Sequence, residues 1–311
     1  MHHEFHYLLR LLLLITASIV VYIFATMPEF LPHLQDASSR EPIDSMETYI
    51  RLLISPKYKL AFCPMQKSMS TIILGMICYL ENEAKLNRSR SINEGWNFKG
   101  LCMTEGSPTY LTGQEAKEFL NGPGGNDYLK IAVVRNPVER FLSGYSDKCS
   151  KQLNGQYRKM RDCYECNGNM ECVLETLYVR AKQYLKGNLN GHVLPEEVPY
   201  TDRHLLPQSW SCDFKHHSSD YKILEYNTEN PNTTLDEVFS IFRNHNVPNQ
   251  TIDRMQKQVY GKYTHHSTFA AEERVQARKH LLSSSYMLSL LEKIFYTDYQ
   301  LFRFSRPNYY N

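Results

Sequence analysis

One long apolar segment near the start is followed by short apolar runs separated by polar, breaker-rich stretches. Leu11 to Met27 is almost unbroken apolar and sits at the lower limit for a bilayer span, which takes roughly 17–25 residues. Leu8 and Leu9 lengthen it, and Arg10 can snorkel towards the head groups. Arg10 and the α-amino group precede the run, while Glu29, Asp36 and Glu41 follow it, so the N-terminus is expected in the cytosol and the body in a lumen. The expected layout is a cytosolic tail and signal anchor over 1–27, a stem with Pro28, Pro32 and Pro42 over 28–50, and a lumenal domain over 51–311. A cleaved signal peptide is the alternative, and either route enters the secretory pathway.

Beyond the stem, the pattern predicts an α/β domain. Tyr58 to Cys63 reads as a buried strand, followed by a polar turn and then by Thr71 to Leu80, which has the length of a helix. Gly113 to Asn121 suggests a short helix, ended by Gly122-Pro123-Gly124-Gly125. Tyr128 to Arg135 is β-branched and apolar on both faces, as the centre of a parallel sheet requires. Asn136-Pro137 breaks it, and Val138 to Tyr145 resumes at helical spacing. Helices are also predicted over Cys172 to Tyr184, Leu235 to Arg243 and Glu272 to Phe295, with a strand at Lys222 to Tyr226. Alternating strands and helices predict a P-loop-like parallel sheet flanked by helices.

Composition narrows the partners. A net charge of +2 without any Lys/Arg block argues against nucleic acid, so an anionic ligand would have to be gripped by a local cluster. Sequons at Asn87, Asn232 and Asn249 agree with a lumenal body. So do eight cysteines, an even number. Cys163-x-x-Cys166 with Cys172 lacks the second half of a zinc site, so disulfides are expected there, drawing in Cys149 and Cys212. Cys63 and Cys78 lie in apolar stretches and read as buried free thiols.

Two strand–loop–helix junctions carry candidate chemistry. In Cys63-Pro64-Met65-Gln66-Lys67-Ser68-Met69-Ser70-Thr71, backbone N–H groups at a helix start favour an anion. Lys67 adds a charge, and Ser68, Ser70 and Thr71 add hydroxyls. The Walker A spacing is absent, which counts against a nucleotide-driven kinase. In Arg135-Asn136-Pro137-Val138-Glu139-Arg140-Phe141-Leu142-Ser143-Gly144-Tyr145, Arg135 ends a central strand, where ligands of open α/β sheets gather. Ser143 follows about two helical turns on, and both side chains reach one phosphate if the chain folds back at Pro137. Arg140 is expected either to pair with Glu139 or to face a nucleotide.

These two segments resemble the 5′-phosphosulfate loop and 3′-phosphate motif of the Golgi carbohydrate sulfotransferases, in the branch with chondroitin 4-O- and HNK-1-type enzymes. Asp202-Arg203-His204-Leu205-Leu206-Pro207-Gln208 before Cys212 resembles that family's Asp-x-His-x-x-Pro-Gln segment. Tyr296-Thr297-Asp298-Tyr299-Gln300-Leu301-Phe302 resembles its C-terminal ending. The first loop departs from the commoner Pro-Lys form by its Met65-Gln66 insertion. The resemblance implies a Golgi type II membrane protein that moves a sulfuryl group from PAPS to a glycan hydroxyl, such as one of chondroitin, with no metal. It further implies that Lys67 stabilises the leaving phosphate and that residues 67–71, Met69 included, cradle the 5′-phosphate. Arg135, Ser143 and Arg140 would serve the 3′-phosphate end. A general base is required, and His204, flanked by Asp202 and Gln208, is the candidate ahead of His192, His265 and His266. A non-catalytic PAP- or glycan-binding protein and a P-loop sugar kinase are the alternatives.

Overall fold

A computed structural model describes residues 40–44, 50–86, 91–93, 102, 109–149, 163–186, 198–262 and 272–307. The expected membrane anchor, His192, His265, His266 and Asn87 lie outside these residues. Among the described residues, no helix is long and apolar enough to cross a membrane.

Among the described residues, five strands form one sheet: β1 (Arg51–Ser55), β2 (Leu60–Cys63), β3 (Tyr110–Thr112), β4 (Leu129–Val134) and β5 (Tyr221–Glu225). Their order is β3-β1-β2-β4-β5. The sheet is mixed, which corrects the expected parallel one. β2, β4 and β5 are parallel, with Phe62 opposite Ile131 and Ala132 opposite Ile223. β1 pairs antiparallel with both β2 and β3. The reason is local: only residues 56–59 separate β1 from β2, too few for the crossover that a parallel pair needs.

Helices pack on both faces. They are α1 (Ser70–Leu86), α2 (Gly113–Asn121), α3 (Pro137–Lys148), α4 (Met170–Leu185), α5 (Tyr200–Leu205), α6 (Phe214–His217), α7 (Pro231–Asn244), α8 (Asn249–Val259), α9 (Glu272–Leu282), α10 (Ser285–Ile294) and α11 (Tyr296–Leu301). Side-chain alternation along the strands sorts the two cores. Leu60, Phe62, Ile131, Val133 and Leu224 pack against Ile73, Ile77, Phe239 and Phe242. Leu52, Ile54, Ala61, Ala132 and Val134 face Ala116, Leu120 and Phe214. The predicted helix over 272–295 is broken in two. Ser284 leaves the helical conformation, and its side chain caps α10 by accepting the Met287 N–H.

Of the residues assigned to the stem, 41–44 pack on this domain. Ile43 is fully buried, and its N–H donates to the Lys293 carbonyl at 2.8 Å. All eight cysteines are bridged, as Cys63–Cys212, Cys78–Cys102, Cys149–Cys163 and Cys166–Cys172. Cys63 and Cys78 are therefore not free thiols. Their partners are distant in sequence, and only folding brings them together.

Candidate active site

β2 and β4 are parallel neighbours, so the loops leaving their C-terminal ends emerge side by side. The loop after β2 is tightly wound. Lys67 and Met69 have φ of 67° and 62°, a left-handed conformation that costs a non-glycine residue on the order of 1 kcal/mol. Local bonds hold it: the Ser68 N–H donates to the Met65 carbonyl at 3.3 Å, and the Ile72 and Ile73 N–H groups both reach Met69 O. Such winding turns successive N–H groups towards one side and makes an anion-binding concavity. At the end of β4, Pro137 opens α3, and the Asn136 side chain caps it by accepting the Val138 and Glu139 N–H groups.

Gln208 stitches the two loops together. Its Oε1 accepts from the Arg135 N–H at 2.8 Å and from Ser68 Oγ at 3.1 Å, while its Nε2 donates to the Arg135 carbonyl. Asp298, from α11, fixes that turn by accepting the N–H groups of Gln208 at 2.9 Å and Ser209 at 2.7 Å. The Cys63–Cys212 bridge ties the same turn to the end of β2. Arg140 is fully buried and spans both sides, donating to Gln66 O at 3.1 Å and Leu206 O at 2.7 Å. It does not pair with Glu139, whose carboxylate bonds Arg274 and Arg278 instead. The charge that offsets Arg140 is that of Asp298. We expect Asp298→Ala to lower unfolding stability by about 3–5 kcal/mol, since it strands the buried Arg140 charge and two N–H donors. Chemical denaturation of the purified variant checks this.

The cations converge around the first loop. Lys67 Nζ is ion-paired with Asp147 of α3, and burial pushes its pKa down to about 8. Arg135 donates from Nη1 to the Lys67 carbonyl and from Nε to Thr228 Oγ1, both at 3.1 Å, and lies over the Tyr226 ring. Among the described residues, two of its five N–H donors are thus engaged, which leaves others for an anion. Burial lowers both Arg135 and Arg140 to about 10, and the nearby Arg274 adds to the effect on Arg135. A cluster whose charged forms are disfavoured in this way is stabilised by an arriving anion.

The remaining sequence candidates sort as follows. Ser68 and Ser70 are buried in the loop and at the start of α1, and Thr71 is half-buried beside them. Ser143 is buried on α3, one turn after Arg140, but Arg135 bonds Thr228 and Lys67 rather than Ser143. His204 is half-buried on α5. Its Nδ1 lies 2.6 Å from the Tyr200 carbonyl, which has no proton to give, so Nδ1 carries the hydrogen and Nε2 is the acceptor of the neutral ring. Desolvation, then the charges of Lys67 and Lys148, hold its pKa well below the usual range. The expected neighbours are corrected. Asp202 is fully buried and taken by Arg180, Tyr164 and Tyr184, and Gln208 serves the loops instead. Gly144 lets α3 approach this segment closely, since a Cβ there would lie 2.9 Å from His204 O.

The sequence reading missed Tyr226, Thr228, Asp147, Lys148 and Arg274. The first two follow a parallel strand at its carboxyl end, a position that could have marked them. Asp147 and Lys148 recur at helical spacing from Arg140 and Ser143, which could have placed them on the same side of α3. Nothing local marked Arg274, which reaches the site through the packing of α9 against α3.

Comparison with known proteins gives a consistent result. The profile described as the sulfotransferase family matches residues 51–305. Carbohydrate sulfotransferase chst-1 of Caenorhabditis elegans is 31% identical over 254 residues, covering 81% of this chain and 74% of that protein. An uncharacterized protein of the same nematode is 27% identical over 262 residues, covering 83% of this chain and 70% of its own length. No solved structure gives a significant match. With the match running through every strand of the sheet and the loops that carry Lys67 and Arg135, this chain belongs to the sulfotransferase family.

Proposed function

We propose that this protein transfers a sulfuryl group from PAPS to a hydroxyl of a carbohydrate, a glycosaminoglycan such as chondroitin, in the Golgi lumen, held to the membrane by residues 11–27. The observation that carries the proposal is the meeting of Lys67, Arg135 and Arg140 at the ends of two adjacent parallel strands, beside a neutral histidine. PAPS has two anionic ends, and the donor set has two matching parts. Lys67 with the N–H groups and hydroxyls of residues 68–71 suits the 5′-phosphosulfate. Arg135 suits the 3′-phosphate by its planar fork, with Ser143 and Arg140 on the helix that follows it and Tyr226 beneath the guanidinium.

The donor supplies a sulfuryl group whose S–O bond to the 5′-phosphate breaks as the acceptor oxygen bonds sulfur, with PAP released. His204 Nε2 takes the acceptor hydroxyl's proton. The Lys67 ammonium keeps its own proton and donates a hydrogen bond where negative charge develops on the leaving phosphate. A sulfuryl group in transfer carries less charge than a phosphoryl group, so the lysine and the loop N–H groups serve without a metal. The name of the worm relative, carbohydrate sulfotransferase, supports a sugar acceptor. The bridged cysteines agree with an oxidising compartment.

The test is transfer of labelled sulfate from PAPS to a panel of desulfated chondroitin, dermatan, heparan and N-glycan acceptors. We expect incorporation into at least one member, strongest for chondroitin. Binding of PAP with no transfer to any acceptor would favour a non-catalytic binding protein. Stabilisation by Mg-ATP but not by PAP would favour a kinase and overturn the proposal.

A further inference from the structure

Lys67 is half of an ion pair that its role as a charge donor does not explain. Its side chain is only 6% exposed, and a buried ammonium tends to give up its proton. Among the described residues, the charged and titratable groups facing it come from three elements: Asp147 and Lys148 on α3, Arg135 at the end of β4, and His204 on α5. Lys148 and Arg135 are cations and disfavour its charge. Asp147 is the one carboxylate among them.

Asp147 is itself built in. Its side chain is 5% exposed, and its Oδ2 bonds both Lys67 Nζ and, at 2.7 Å, Lys148 Nζ. Lys148 is braced in turn, donating to Tyr200 Oη at 2.9 Å and lying 4.6 Å from that ring's centre. The end of α3 that carries both residues is pinned by the Cys149–Cys163 bridge, and its middle is seated against α5 at Gly144. Asp147 is therefore a fixed anion on a fixed helix, facing a lysine on a wound loop. Its second partner keeps it compensated when Lys67 bonds another anion.

We propose that Asp147 is a positioning residue for Lys67: it aims the ammonium across the loop and keeps it charged in a site that would otherwise neutralise it. This rests on the sulfotransferase reading of Lys67 given above. A neutral Lys67 offers neither the charge nor the strong hydrogen bond that the leaving phosphate requires, so activity needs the protonated form and falls as pH rises through its pKa of about 8. Removing the carboxylate lowers that pKa, and removing the competing cation raises it.

The experiment follows sulfate transfer and PAP binding across pH 5.5–9 in the secreted domain, for the wild type, Asp147→Asn, Asp147→Glu and Lys148→Gln. In Asp147→Asn, the alkaline limb of kcat should move down by roughly one to two pH units, so the loss is about five- to fiftyfold at pH 8 and shrinks towards pH 6. Asp147→Glu should restore the limb, and Lys148→Gln should move it up. PAP affinity should show the same shifts without turnover. A loss in Asp147→Asn that is uniform across pH would overturn the proposal, since a merely structural residue gives that pattern. Should Asp147→Asn fail to fold, an unmoved limb in Lys148→Gln also overturns it. Failure of the wild type to bind PAP or transfer sulfate would instead sink the functional reading, and the positioning role with it.

Discussion

Purified Lys67→Ala protein is expected to transfer sulfate about 10²- to 10³-fold more slowly than the wild type, the usual cost of deleting one preorganised charge at a developing anion. Its unfolding midpoint should stay close to that of the wild type, although the residue is buried. Truncating one member of a buried ion pair is ordinarily destabilising because the other charge is stranded. Here the stranded carboxylate is Asp147, which retains Lys148 at 2.7 Å. The left-handed loop is held by backbone bonds and by Ser68 on Gln208, none of which uses the lysine side chain. The expected signature is a fall in kcat on a folded protein that still binds PAP through Arg135. Activity within tenfold of the wild type would remove Lys67 from the chemistry.

Arg135→Ala is expected to act on binding first. The guanidinium is a planar donor bonded to the loop at Lys67 O, so its removal should raise the donor KM by about 10²-fold, consistent with the roughly 1.5–3 kcal/mol of a hydrogen bond to a charged group. Arg135→Lys should recover only a small part, because a point charge cannot reproduce the fork. A stability cost accompanies this change, unlike that of Lys67→Ala. The side chain bonds Lys67 O and Thr228 Oγ1 and covers Tyr226, and losing these contacts should cost about 1–3 kcal/mol. The backbone half of the Gln208 stitch survives, since it uses only the Arg135 N–H and carbonyl. Isothermal titration with PAP separates the two effects. A donor affinity unchanged in Arg135→Ala would refute the assignment.

How far the chain could be read in advance depends on how local each determinant is. The strand and helix beginning at Leu129 and Pro137 were legible to within a few residues, because β-branched runs, a proline at the first helical position and an Asn cap act over short stretches. β1 and β3 went unread. Each is too short to show an alternation, and each becomes a strand only by pairing with a neighbour. Arg140 was read as facing either Glu139 or a nucleotide. Its burial takes it from Glu139 and gives it two carbonyls 66 and 74 residues away in sequence.

By itself, the sequence determined the α/β class, the two junctions at Lys67 and Arg135 and the family resemblance carried by their spacing, since all are written in contiguous residues. Only the tertiary structure decided what surrounds them. It made the sheet mixed, bridged every cysteine, took Asp202 away from His204 and put Asp147 against Lys67. The physical reason is common to these: the partner of a buried polar group is chosen by desolvation, which demands a hydrogen bond or counter-charge from whichever chain segment the fold brings there.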